Sequence, residues 1–154
     1  RATRDTVIER LARRAARRGD RTLDLLVLSG GGQNGAYGAG FLRGWSSTGR
    51  IPRFDLVTGV STGALQAPFA LVGTPAAYDT LSAIYRRAAE SIAPTLDRWF
   101  WLRRTGGVVN TGRYTATIAR IVDEPLRRDV AAALAEDRQM AVSTTDADLG
   151  TGRL

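Results

Sequence analysis

The sequence predicts an α/β protein with a mainly parallel central sheet, and three observations carry that prediction. A short continuous apolar run, Leu23 to Ser29 (LDLLVLS), stops abruptly at Gly30-Gly31-Gly32, as a strand buried on both faces of a parallel sheet does. Phe41, Leu42 and Trp45 then recur at helical spacing up to a loop near Gly49 to Pro52. A second short apolar run at Leu56 and Val57 turns through Gly59-Val60-Ser61-Thr62-Gly63 into a small-residue, helix-prone segment. Strand, glycine loop, helix and strand from Leu23 to Thr58 make one βαβ unit, which implies a right-handed crossover and a parallel pair.

The remaining elements follow in order. Residues Thr3 to Arg18 read as a leading amphipathic helix within residues 1–20. Val7, Ile8, Leu11, Ala12, Ala15 and Ala16 lie on one side, and Arg10, Arg13, Arg14, Arg17 and Arg18 load the other. Gly19 ends it. Two roles are open: a membrane-surface helix meeting anionic lipid, or an ordinary helix packed on the domain with a solvated arginine face. The helix after Ser61 is expected to run to about Leu71, where Gly73-Thr74-Pro75 breaks the chain. Another follows from about Ala76 to Ala89, with Leu81, Ile84 and Tyr85 facing inward. Arg98-Trp99-Phe100-Trp101-Leu102-Arg103-Arg104 is either an interfacial patch or a core plug under a long connection. Asn110 or Thr111 is placed to cap a helix carrying Tyr114, Ile118, Ile121 and Val122, and Pro125 to start one reaching about Ala135. Met140 to Thr144 reads as a third strand and Asp146 to Gly152 as a turn. No internal repeat or second domain is visible, so residues 1–154 read as a single domain.

Composition narrows the chemistry. The chain has 154 residues and 44% hydrophobic content, enough for one packed core. No apolar run is long enough to span a bilayer, so a soluble or membrane-peripheral protein is expected. It holds no cysteine and no histidine. Thiol catalysis, thiolate or imidazole metal sites and a Ser-His-Asp triad therefore cannot be built from these residues. A base for a serine nucleophile must be a carboxylate or lie elsewhere. The net charge is +7 with no lysine, which removes the Walker-type P-loop. An all-arginine basic set with abundant alanine reads as compositional bias, and no nucleic-acid partner is expected.

Gly59 to Gly63 has the layout of a nucleophile elbow, with Ser61 on a tight turn between strand and helix. Gly59 and Gly63 leave room where a Cβ would collide with neighbouring backbone. The following helix points its first amides at the serine, where negative charge develops in acyl transfer. Gly30-x-Gly32-x-x-Gly35 admits two readings. As a dinucleotide fingerprint it follows a strand and opens a helix, with Asp55 about twenty residues on. Asp55, however, sits near the start of its strand, and a ribose-binding acid belongs at the carboxyl end. As an oxyanion hole, consecutive glycines let amides from about Gly31 to Gln33 converge beside Ser61.

LVLSGGGQNGAYGAGFLRGW followed by FDLVTGVSTGALQAPFA resembles the patatin-like phospholipase family. The resemblance implies a three-layer α/β/α sandwich and hydrolysis of lipid acyl esters by a Ser-Asp dyad, without cofactor or metal. It implies Ser61 as nucleophile and Gly30, Gly31, Gly32, Gln33, Asn34 and Gly35 as the oxyanion loop. AVSTTDADLGTGRL is similar to the family strand and hairpin between the serine and the aspartate. Two departures stand out. Asn34 replaces the usual arginine or lysine, and no Asp-Gly dipeptide is present. The resemblance therefore places the aspartate beyond Leu154, makes the chain an N-terminal portion of the catalytic domain and leaves it inactive alone. The expected partner is a lipid or acyl-ester substrate, with peripheral membrane contact as an option. Two other functions remain open: a nucleotide-binding α/β module, and a non-catalytic lipid-surface protein on the same scaffold.

Overall fold

The computed structural model describes residues 4–19, 21–91, 121–146 and 151–153. Helix α1 spans Arg4–Arg18, α2 Gly35–Ser47, α3 Thr62–Val72, α4 Pro75–Ser91 and α5 Glu124–Ala135. The strands are β1 Leu25–Leu28, β2 Leu56–Val60, β3 Gln139–Asp146 and β4 Thr151–Arg153. The order across the sheet is β1-β2-β3-β4. β1, β2 and β3 are parallel, with Leu28 opposite Gly59 and Gly59 opposite Val142. β4 returns antiparallel to β3, with Asp146 opposite Thr151. Helices lie on both sides of the parallel strands, the α/β arrangement that the βαβ pattern predicts.

Helix α3 is the centre of the core. Ala67, Phe69, Ala70, Leu71 and Val72 are all buried, as in a helix apolar around most of its circumference. Its boundary is local chemistry: Gly73 adopts the left-handed conformation and its amide returns to the carbonyl of Phe69 at 2.9 Å. Thr74 Oγ1 accepts from the Ala77 amide at 3.2 Å and caps α4. Asp123 Oδ1 likewise accepts from the Leu126 amide at 2.9 Å at the start of α5, with Pro125 in its first turn. At the beginning of β3, Arg138 is wholly buried and its Nε donates to the carbonyl of Phe54 at 2.8 Å. Burial pushes the nearby Tyr78 phenol up to about 12, with the Arg138 charge pulling against it.

Three expectations need correction. β1 is buried on one face only. Leu26 and Leu28 pack on the core, whereas Leu25 is 57% and Val27 78% exposed. Side chains alternate between the two faces of a strand, and the face that carries Leu25 and Val27 is open to solvent, while that of Leu26 and Leu28 is covered. Second, Thr151–Arg153 is a strand and not part of a turn. Third, α1 packs on the domain, but its arginine side is not simply a solvated face: Arg10, Arg14 and Arg18 are half-buried and take part in docking, while Arg13 and Arg17 stay about half exposed. Arg14 Nε reaches Asp55 Oδ1 at 2.8 Å, and Arg18 Nη1 lies 2.6 Å from both Asp55 Oδ2 and Asp24 Oδ2. Arg13 and Arg17 both engage Asp137, and Arg10 donates to the Leu134 carbonyl at 3.5 Å. Ile8, on the apolar side, is exposed. The aromatic cluster at 98–104 and most of the helix expected around 114–122 lie outside the described residues. Among the described residues no helix is long and apolar enough to cross a membrane.

Asp55 is fully buried. Burial alone would raise its pKa; hydrogen bonds from Arg14, the Asp24 amide and Arg18 outweigh that and hold it below the ordinary 3.8. A carboxyl depressed in the fold contributes stability above its unfolded pKa and loses it as pH falls through the folded one. Arg14→Ala leaves this buried carboxylate short of a partner and is expected to cost about 3 kcal/mol at pH 7. Denaturant titrations should show the gap to wild type narrowing below about pH 4, as Asp55 protonates in both proteins. A gap independent of pH would contradict this role for Asp55.

Candidate active site

β2 delivers the chain to Ser61, and α3 takes it away one residue later. Ser61 has φ 54° and ψ −121°, a region normally open only to glycine. It stands at the N-cap of α3. Its carbonyl accepts from the Ala64 amide at 3.0 Å, but its side chain makes no capping hydrogen bond. The hydroxyl is thus exposed and left free of the task a capping serine usually performs.

Two glycines make the bend possible. A Cβ at Gly59 would sit 2.4 Å from the carbonyl oxygen of Gly63, and one at Gly63 would sit 2.3 Å from that of Leu28 and 2.8 Å from that of Ser29. The turn therefore closes on itself and rests on the carboxyl end of β1. Because β1 and β2 are parallel neighbours, the glycine loop leaving β1 and the bend leaving β2 open on the same sheet edge. Gly30 touches the bend: its Cβ would lie 3.2 Å from Ser61 Cβ and 3.9 Å from Ser61 Oγ.

The loop then divides into two parts. Gly31 at φ 155° and Gly32 at φ 55° swing the backbone into a 3-10 turn over Gly32–Asn34. The Asn34 amide donates to the Gly31 carbonyl at 3.0 Å, and the Gly35 amide to the carbonyls of Gln33 and Gly32. Those two donors are spent in closing the turn. The amides of Gly31, Gly32 and Gln33 make no backbone hydrogen bond among the described residues. Gly30 to Asn34 are exposed, and Gly35 is buried under α3. Three unspent amides thus lie in the loop that abuts an uncapped hydroxyl, an arrangement able to support acyl transfer.

Among the described residues no carboxylate is seen hydrogen-bonded to the Ser61 hydroxyl. Asp55 and Asp137 precede β2 and β3, at the opposite end of the strands from Ser61, and are held by the arginines of α1. Asp146 lies in the β3–β4 pairing. The arginines around Asp55 also remove it as a ribose ligand.

The family model described as patatin-like phospholipase matches residues 26–153. The chain belongs to the patatin-like phospholipase family. No curated protein and no solved structure matches it. Patatin-like phospholipases are lipid acyl hydrolases as a family, acting on lipid substrates. The part of this patatin-like chain that the family model covers takes in the glycine loop, the bend at Ser61 and the β3–β4 hairpin.

Three polar residues behind the bend escaped the sequence reading as a group. Thr62, Gln66 and Tyr85 meet beneath Gly35. A signal did exist. Thr62 and Gln66 stand one turn apart in a helix otherwise made almost wholly of apolar and small residues.

Proposed function

We propose that this protein is a serine lipid acyl hydrolase of the carboxylic ester type, with Ser61 as nucleophile. Ser61 Oγ attacks the ester carbonyl and gives its proton to a carboxylate. The amides of Gly31, Gly32 and Gln33 take the charge of the tetrahedral oxyanion. Collapse of that intermediate expels the alcohol with a proton and leaves an acyl-serine, which water then hydrolyses to release the acid and restore the hydroxyl. The carboxylate is an aspartate outside residues 1–154. The observation that carries this reading is the uncapped, exposed Ser61 hydroxyl against Gly30, in the loop whose next three amides have no backbone acceptor among the described residues. No metal or organic cofactor enters these steps. Contact with a lipid surface belongs to the same reading, and Tyr37 and Phe41, exposed on the first turns of α2 beside the glycine loop, are placed to make it.

Asn34, where the family usually has a cationic residue, favours one second reading: a lipid-surface protein that keeps the scaffold without the chemistry. Hydrolysis of p-nitrophenyl acyl esters and of phosphatidylcholine vesicles by the intact protein separates the two. Turnover that falls by about 10⁴-fold or more in Ser61→Ala supports the hydrolase. Vesicle binding without turnover would support the scaffold.

A further inference from the structure

We propose that Gln66 and Tyr85 are positioning residues that fix the far end of the glycine loop relative to Ser61. The inference rests on the hydrolase reading for its consequence in catalysis, but the clamp itself is structural.

The loop has two ends, and only one is held by the sheet. Its start is fixed where β1 pairs with β2 and where Gly63 seats under the carbonyls of Leu28 and Ser29. Its other end runs into α2 through Gly35. Gln66, five residues after Ser61 on α3, donates from Nε2 to the Gly35 carbonyl at 3.0 Å. That bond joins the helix that begins at the bend to the first residue of the helix that ends the loop.

Tyr85, on α4, locks the glutamine. Its hydroxyl accepts from Gln66 Nε2 at 3.3 Å, donates to the Thr62 carbonyl at 3.3 Å and is hydrogen-bonded to Thr62 Oγ1. The donor count closes. Nε2 spends one hydrogen on Gly35 and one on Tyr85; the phenol accepts from Gln66 and Thr62 and spends its own hydrogen on the Thr62 carbonyl. Gly35 rests directly on this cluster, since a Cβ there would lie 2.2 Å from Thr62 Oγ1 and 2.8 Å from Tyr85 Oη.

Gln66 is 3% exposed, and its Oε1 has no hydrogen-bond partner among the described residues. Burying an unsatisfied amide oxygen is unfavourable, and a leucine of similar size would avoid it. What the glutamine supplies and leucine lacks is the donor to Gly35. A loop amide must meet the oxyanion with its hydrogen aimed at it, and a misplacement of 1 Å in an active site can cost about 10²-fold in rate.

The test compares Gln66→Leu, Tyr85→Phe and Gln66→Glu in the intact protein with a soluble acyl ester. Gln66→Leu and Tyr85→Phe are expected to lower kcat by roughly 10- to 100-fold while KM moves little. Gln66→Glu should work better at low pH, where a protonated carboxyl can donate to Gly35. It should decline as pH rises and the carboxylate forms, a limb absent from wild type. Hydrogen exchange at the Asn34 and Gly35 amides, bonded within the turn, should be several-fold faster in Gln66→Leu and Tyr85→Phe. Wild-type kcat in both variants would overturn the inference and leave the hydrolase reading intact. If the wild-type protein hydrolyses no ester, the hydrolase reading fails and exchange alone decides: unchanged rates at Asn34 and Gly35 would overturn the clamp.

Discussion

Ser61→Gly is expected to abolish ester hydrolysis and raise the melting temperature in one substitution. Ser61 sits at φ 54° and ψ −121°. Holding a residue with a Cβ in such a region costs about 1–3 kcal/mol. Glycine adopts it without that cost, offset by the roughly 0.5–1 kcal/mol of extra chain entropy that glycine loses on folding. The net gain is about 1 kcal/mol, or roughly 2–4 °C for a chain of this size. Ser61→Ala is the matched control. It loses the hydroxyl and keeps the strain, so its melting temperature should stay near wild type while its activity falls equally. A melting temperature for Ser61→Gly below that of Ser61→Ala would mean that the bend is not strained. The expected pattern is a residue held against its own conformational preference for the sake of chemistry.

Gly63→Ala is expected to damage both fold and activity. The added methyl would meet the Leu28 carbonyl oxygen at 2.3 Å, its carbon at 2.7 Å and the Ser29 oxygen at 2.8 Å. All three are backbone atoms, so relief requires moving the end of β1, and the glycine loop moves with it. Overpacking of this kind costs about 1–3 kcal/mol, and the displaced loop should lower kcat by about 100-fold. Gly40 and Gly44, on the exposed side of α2, have open space at the same position. Alanine at either should stabilise by about 0.5–1 kcal/mol and leave turnover unchanged. Equal effects at Gly63 and Gly44 would show that the contact beneath the bend is not what fixes the loop.

Where the fold follows from neighbours in the chain, the amino-acid pattern was enough to read it. The apolar runs at Leu25 and Leu56, the break at Gly73 and the start signalled by Pro125 each depend on a few adjacent residues, and each appears where that local chemistry puts it. The bend at Ser61 was visible for the same reason. What the pattern does not carry is pairing across long separations. Arg14 and Arg18 look like a solvated charged face until Asp55, 41 and 37 residues away, is brought against them. Gln66 looks like one polar residue in an apolar helix until Gly35 arrives from 31 residues upstream. The exposed side of β1 illustrates the converse. A run of four apolar residues fits a strand covered on both faces, and only the packing of distant elements decides that the face of Leu25 and Val27 stays open. Within the glycine loop, the family resemblance groups Gly35 with Gly31 in one oxyanion loop. The turn geometry separates them, because the Gly35 amide is already spent on the carbonyls of Gln33 and Gly32.

Treatment of the intact protein with a fluorophosphonate, followed by mapping of the adduct, addresses the nucleophile itself. The reagent phosphonylates an activated serine and needs the same oxyanion donors as an ester. A single adduct on Ser61, lost in Ser61→Ala, is the predicted result. An adduct on another serine that persists in Ser61→Ala, or no adduct from a preparation that hydrolyses esters, would contradict the assignment of Ser61.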